Sequence, residues 1–276
     1  MLTQPDLFDQ NDHGGGAIRG TDSLPPEDLQ PFKSALIYEP RGKAREYADL
    51  ALNVYKGCDH ACVYCYVPEV LRMSRSAFIN PLTRGEGFVD KVEREAKKLT
   101  ASTHKDKQVL LSFTTDPYQA LDEQEQVTRQ VLSIFRRVGV RFITLTKGGH
   151  RAERDLDLFT DRDAFATTLT LLDEHMRVKW EPGSAPTQER IETLARFHKI
   201  GVPTWVSLEP VIDPQQTMEI IRRSHEVVDL FKVGKLNHVP NLEKTIDWTA
   251  FGHEVISLLK SYGKPYYVKH ELEKFL

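Results

Sequence analysis

Short apolar runs rich in β-branched residues alternate with longer amphipathic ones through most of this chain, and that alternation limits its fold more than any other feature. The apolar runs are Val109–Phe113, Val140–Thr146, Ala164–Thr170, Pro203–Leu208, Leu230–Val233 and Pro265–Lys269. Between them lie helical patterns. Glu86–Leu99 carries Phe88, Val92, Ala96 and Leu99 on one side, and Glu125–Val138 stops at Gly139. Ala152–Thr160, Pro186–Ile200, Pro214–Val227 and Ile246–Tyr262 complete the set. Strand and helix in strict turn predict a parallel sheet with helical crossovers. With Ala48–Tyr55 as a first strand, the chain makes six β/α units and a closing strand. The expected fold is therefore α/β, a partial (β/α)6 TIM-like barrel.

Residues 1–32 contain Gly14-Gly15-Gly16, Pro25-Pro26 and few apolar side chains, which predicts a disordered N-terminal tail ahead of one domain, 33–276. Forty per cent of the 276 residues are hydrophobic, enough for a sizeable core. The formal net charge is −3, so no global basic excess advertises nucleic acid. Neither a secretory pattern nor an apolar run of membrane-spanning length is present, so the expected setting is soluble, reducing and cytoplasmic.

In β/α barrels, chemistry gathers at the carboxyl ends of the strands. The polar clusters of this chain fall there: Thr114-Thr115-Asp116, Thr146-Lys147, Thr168 with Thr170, Glu209, and Asn237-His238. Each has a plain structural reading, since Thr-Asp-Pro makes a turn and Lys-Gly-Gly a loop. Their agreement is the more informative fact. Tyr55, Tyr66 and Tyr118 are candidates for the same pocket, although tyrosines as often serve only as packing.

The first strand leads into Asn53-Val-Tyr-Lys-Gly-Cys58-Asp-His-Ala-Cys62-Val-Tyr-Cys65-Tyr66, which holds all three cysteines of the chain, spaced C-x3-C-x2-C. Thiolates so close together can converge on a soft metal centre. A closed zinc site or a cysteine-ligated [4Fe-4S] cluster normally takes four ligands, so three thiolates leave one coordination position open. His60 inside the loop would complete a Cys3His zinc site, but zinc patterns usually bring ligands as two separated pairs. An odd cysteine count argues against a disulfide framework.

The cysteine loop, with aromatic Tyr64 before the last cysteine, resembles the cluster-binding loop of the radical S-adenosylmethionine (SAM) superfamily. Leu52–Cys58 and Cys62–Tyr66 resemble its spore photoproduct lyase-like branch. The resemblance implies a [4Fe-4S] cluster on Cys58, Cys62 and Cys65, with SAM on the open iron and cleaved to a 5′-deoxyadenosyl radical that abstracts hydrogen from a substrate. It also implies roles. Lys147 meets the SAM carboxylate, Thr115 and Asp116 the amino group, Thr168 or Thr170 supplies a strand-four hydroxyl, and Tyr64 lies against the adenine. Asn237, at the sixth strand end, joins the cofactor set. His238 and Tyr118 are assigned to the substrate side as catalytic candidates. Glu181-Pro182-Gly183 with Arg190 resembles another signature of the family and is expected to form an internal ion pair. An electron donor such as ferredoxin or flavodoxin is implied as partner.

Spore photoproduct lyase uses a further cysteine as hydrogen donor, and this chain has no fourth cysteine, so dimer repair is not the expected reaction. Nucleic acid stays open as a substrate, given basic groups such as Arg94, Lys97, Lys98 and Arg136, Arg137, Arg141, though helix faces commonly look like this. Two other classes also stay open: a zinc- or cluster-stapled nucleic-acid-binding protein without SAM chemistry, and an electron carrier. The carrier gives no reason for Lys147 and the threonines to gather.

Overall fold

The computed structural model describes residues 32–276. The expected tail, residues 1–32, falls outside them except for Phe32. Seven strands form one parallel sheet in sequential order: β1 Leu50–Ala51, β2 Val109–Leu111, β3 Phe142–Thr146, β4 Ala164–Thr168, β5 Thr204–Leu208, β6 Leu230–Val233 and β7 Tyr266–Val268. Sequential order with crossovers of one hand puts the helices on one face and leaves the other to curl inward. Among the described residues β1 and β7 do not pair, so the barrel is partial, as the sequence predicts.

The register separates the two faces. Leu110 pairs with Ile143, Ile143 with Ala164, Ala166 with Trp205 and Trp205 with Leu230, and these residues pack together with Ala48 as a small inner core. Their strand neighbours Val109, Phe142, Phe165, Val206 and Phe231 face the helices in the larger outer core. Because side chains alternate along a strand, the positions one pleat above the inner core must point into the same hollow. Ser112, Thr168 and Lys232 stand one pleat above that core, Lys147 and Glu209 two, and Lys269 follows one pleat beyond Tyr267, the partner of Lys232. Trp205 plugs the hollow from below, and polar side chains line it above.

Most predicted helices form with expected ends. Phe88–Thr100, Val127–Val138, Thr187–Lys199, Pro214–Ser224 and Trp248–Ser261 bury one stripe each. Gly139, at φ 84°, closes the second of these; Asp213 and Asp247 cap the last two through their carboxylates. The Ala152–Thr160 segment differs, forming a 3-10 helix over Gly149–Leu158. Its buried residues, Gly149, Ala152 and Asp155, recur every three, which suits three residues per turn rather than 3.6. The first strand is also shorter than expected. Only Leu50 and Ala51 pair with β2 as strand residues, because the chain then turns into the cysteine loop. Among the described residues no helix is long and apolar enough to cross a membrane.

Candidate active site

The cysteine loop is held by contacts that leave its thiols free. Gly57 has φ 80°, and a Cβ there would meet the Phe78 carbonyl oxygen at 2.5 Å, so both backbone and space demand glycine. The Cys58 amide donates to that same carbonyl at 2.9 Å. Arg75 donates to the carbonyls of Cys62, Val63 and Cys65 at 2.8, 3.0 and 3.2 Å. On the other side, the Gly183 amide donates to the His60 carbonyl at 3.0 Å, and a Cβ on Gly183 would run into the Asp59 carbonyl. The Glu181-Pro182-Gly183 segment is thus a bed under the loop.

All three thiols are unpaired and line one cavity of about 520 Å³. Burial pushes the Cys58 thiol well above its ordinary value, Cys62 up to about 11, and Cys65 upward. They are protonated at neutral pH until a metal displaces the protons. Among the described residues, no three His, Cys, Asp or Glu side chains converge tightly enough to hold a single ion. A multi-iron cluster spreads its thiolates over separate irons and does not require that convergence. His60, which could complete a zinc site, turns its Nδ1 to Asp116 at 3.3 Å and leaves its buried Nε2 without a partner among the described residues. The donor set fits an iron–sulfur cluster with three cysteine ligands better than a zinc ion.

Asp116 and Lys147 join the ends of β2 and β3. The Asp116 carboxylate accepts from the Thr146 hydroxyl at 2.6 Å, the Lys147 amide at 2.8 Å and the Tyr118 amide at 2.9 Å. Its burial would raise the pKa. The charge and hydrogen bond of His60, with those from Thr146 and Lys147, outweigh that and hold the carboxyl far below the usual range. Thr115 donates to the Gly57 carbonyl at 2.7 Å. Both line the cavity, yet both are also engaged in fixing the loops.

Lys147 differs. Among the described residues its ammonium makes no ion pair, and it lies 5.7 Å from the centroid of the Tyr64 ring. Burial works against its charge, but the acidic groups beside it, the Cys62 thiol once it is deprotonated and the Glu181 carboxylate, raise its pKa, so it remains a cation. The Tyr64 hydroxyl donates to Glu181, whose other oxygen takes the Arg190 guanidinium at 2.7 Å. Neither side chain of that pair is exposed. The expected internal ion pair is therefore present, directly behind the cavity wall.

The opposite wall is only partly legible in sequence. The segment Tyr38–Tyr47 crosses the barrel opening. Glu46 accepts from the Tyr267 hydroxyl at 3.2 Å and the His270 amide at 2.8 Å, while Lys232 donates to the carbonyls of Glu46 and Tyr47, both at 3.1 Å. Tyr47 reaches Glu209 at 2.8 Å, and Lys269 forms an ion pair with the same carboxylate. Lys269 ends the closing strand, so the strand-end rule applied one strand further would have found it. Nothing in the sequence pattern marks Tyr47 or Arg41, which come to the cavity only because the strap folds over it.

Of the predicted residues, Cys58, Cys62, Cys65, Tyr64, Thr115, Asp116, Lys147, Thr168, Asn237 and His238 all line the one cavity. Two do not, and their placement is corrected. Tyr118 is fully buried in the outer core with the Arg154 guanidinium over its ring, because the turn at Pro117 carries it away from the hollow. Thr170, two residues beyond β4, is buried outside the lining with its hydroxyl unpartnered. Tyr55 is likewise buried away from the cavity, donating to Asp122. Tyr66 is at the mouth, stacked on His238 at 5.7 Å.

A partial parallel barrel with three free thiols at the mouth of its first strand defines a class that binds a cofactor at its strand ends. Residues 52–228 match the model of the Radical SAM superfamily, and the chain belongs to that superfamily. It is a radical SAM enzyme, and that family implies SAM and an iron–sulfur cluster. Three curated relatives bear the description uncharacterized protein. ORF301 of Acidianus two-tailed virus is 27% identical over 76% of this chain and 71% of its own. MJ0683 of Methanocaldococcus jannaschii is 24% identical over 63% and 64%, and Rv2578c of Mycobacterium tuberculosis 26% over 67% and 55%. The chain thus spans little more than half the length of some of these relatives.

Among solved structures, a point mutant of spore photoproduct lyase has the same fold at TM-score 0.64 and 12% identity, covering 84% of this chain and 79% of the other. Spore photoproduct lyase complexed with dinucleoside spore photoproduct gives 0.62 and 14%, with the same coverage. SuiB of Streptococcus suis bound to S-adenosylmethionine gives 0.59 and 12%, covering 79% of this chain and 49% of that one. At these identities the likeness is one of fold.

Proposed function

We propose that Cys58, Cys62 and Cys65 hold a [4Fe-4S] cluster with one iron free of protein sulfur, and that SAM occupies the cavity beside it. When bound, that pair supplies a 5′-deoxyadenosyl radical able to take hydrogen from an unreactive carbon. The observation that carries this reading is the set of three free thiols sharing one cavity with the Lys147 ammonium, which has no ion pair among the described residues. Lys147 binds the methionine carboxylate, as a point charge partly removed from water. Tyr64 offers the adenine an aromatic face whose far end is fixed on Glu181. Thr168, on the concave face of β4, presents a hydroxyl to the same ligand. Asp116 positions the Thr146-Lys147 turn rather than binding the ligand freely. The covered bottom of the barrel keeps bulk water away from the reacting carbon. A reducing cytoplasm suits the free thiols.

Anaerobic reconstitution with iron and sulfide, followed by dithionite and SAM, tests this directly. The expected product is 5′-deoxyadenosine. A reconstituted, iron-loaded protein that forms none, with candidate substrates present, would overturn the reading.

The mouth of the cavity favours a substrate containing nucleobases, which we infer to be nucleic acid. Tyr66 and His238 form an exposed stack, and Arg41 and Lys43 stand at the same opening. An aromatic platform beside cations is how single strands are commonly held. A neighbour in fold is solved with a dinucleoside spore photoproduct, a chemically related ligand. Fluorescence anisotropy with a labelled deoxyoligonucleotide checks this: binding should weaken with salt and with Tyr66→Ala, and no binding at low salt would remove nucleic acid as substrate.

A further inference from the structure

The basic group that stands beside the cavity mouth is not on a helix face. Arg94, Lys97, Lys98, Arg136 and Arg137 lie on Phe88–Thr100 and Val127–Val138, two helices that pack on the outer face of the sheet. None of them lines the cavity, and Lys97 and Arg137 share the Glu93 carboxylate at 2.7 and 2.9 Å. The strap across the barrel opening carries a second group in Arg41-Gly42-Lys43-Ala44-Arg45. All three of its cations are exposed. Arg41 and Lys43 line the cavity, whereas Arg45 does not.

The acids of the strap are occupied elsewhere. Glu39 accepts from the Phe32 amide at 3.0 Å, and Glu46 from the Tyr267 hydroxyl and the His270 amide at 3.2 and 2.8 Å. Neither is exposed, so the strap shows solvent three positive charges and no negative one, in a chain whose formal net charge is −3. Among the described residues Arg41 has no ion pair, and Lys43 pairs only with Glu271 at 3.4 Å, its side chain 53% exposed. A surface pair of that kind is worth little, so a phosphate can displace it. The strap is fixed at its ends, where Tyr38 and Ala51 exchange backbone bonds at 2.9 and 2.8 Å and Tyr47 donates to Glu209. Between them no residue from Gly42 to Glu46 is buried. Its tip can therefore shift toward a ligand with little packing to lose.

We propose that Arg41 and Lys43 form a phosphate clamp that holds the phosphodiester backbone of a single-stranded nucleic acid beside the Tyr66–His238 stack. The inference rests on the nucleic-acid reading above and places the part of the ligand that the stack leaves unheld. An aromatic platform takes a base, which is uncharged, while the backbone beside it needs cations that are exposed, free of carboxylates and set in the same opening. Arg41 meets all three conditions, and Lys43 meets them once Glu271 is displaced. The helix cations fail the last one, because the sheet stands between them and the hollow.

The test measures binding of a labelled deoxyoligonucleotide to the full chain by anisotropy across a salt series, for the wild type, Arg41→Ala/Lys43→Ala and Arg45→Ala. A ribo-oligonucleotide of the same sequence forms a second arm, since both strands carry the phosphodiester, and the same outcome is expected of whichever binds. Each phosphate contact on a single strand adds roughly 0.7 to the slope of log K against log salt. The double variant should therefore lose about 1.4 of slope and bind roughly tenfold more weakly at about 0.1 M salt. Arg45→Ala removes a charge from the same strap but not from the mouth, and should stay within about twofold of the wild type. Bound oligonucleotide should also slow tryptic cleavage after Arg41 and Lys43. An unchanged slope in the double variant overturns the clamp, as does an equal loss per charge in Arg45→Ala or cleavage that saturating oligonucleotide does not slow. If the wild type binds neither strand at low salt, the nucleic-acid reading falls and the clamp with it. If it binds and responds to Tyr66→Ala but not to the double variant, that reading stands and the clamp alone is lost.

Discussion

Arg190 donates to Glu181 at 2.7 Å with neither side chain exposed, and the Tyr64 hydroxyl donates to the same carboxylate. A buried ion pair of this kind is a weak source of net stability, but breaking it is costly because the remaining charge has no partner. Here it fixes the aromatic ring that lines the cavity beside Lys147.

Arg190→Met should therefore destabilise the fold by about 3–5 kcal/mol, with Glu181→Gln/Arg190→Met losing less. Thermal unfolding should show a Tm lower by about 10 °C for the single variant. The pair also has a pH signature. Burial would raise the Glu181 pKa, but Arg190 and Lys147 bring it down to about 2, below the unfolded value near 4.3. A depressed acid adds stability that is complete above its unfolded pKa and lost as pH falls through the folded one. The wild type should lose this contribution between about pH 4 and 2, and the double variant should lack that component.

Cys62→Ala should retain neither the iron and sulfide of the wild type after reconstitution nor its visible absorbance, and should form no 5′-deoxyadenosine. Turnover retained in this variant would remove Cys62 from the ligand set.

Lys147→Met should load iron normally but bind SAM about 10–100-fold more weakly, the range expected for losing one charged hydrogen bond. Calorimetric titration of the reconstituted protein separates the two effects. Undiminished affinity would show that the carboxylate is held elsewhere.

Lys232 lies inside the barrel under Tyr38–Tyr47, 4.6 Å from the Trp205 ring centroid. Burial, then the charge of Lys269, lowers its pKa to about 7 against an ordinary 10.5. Between those values the unfolded chain binds a proton that the folded one does not, so this residue makes stability rise with pH from about 7 to 10. Denaturant unfolding across that range should show a flatter pH dependence for Lys232→Met. A slope identical to wild type would show that Lys232 is charged in the barrel.

Periodicity and punctuation are enough to read the sheet, the main helices and the side of the barrel where chemistry gathers, because each rests on neighbours in sequence. The four-residue helices Val67–Val70 and Arg75–Phe78 escape such a reading, being too short to show a period. The spacing of three cysteines likewise names the centre of the site, and Lys147 and Thr168 follow from lying at strand ends. Tyr118 and Thr170 share that signal but turn aside, one after Pro117 and one beyond the last paired residue of β4, and no local pattern records that direction. The far wall is settled only by tertiary structure. Tyr47 meets Glu209, and Glu46 meets Tyr267 and His270, at sequence separations of 162, 221 and 224 residues. Such contacts depend on how the sheet curls and on which strap crosses its open edge, and that geometry comes from the packing of the whole barrel.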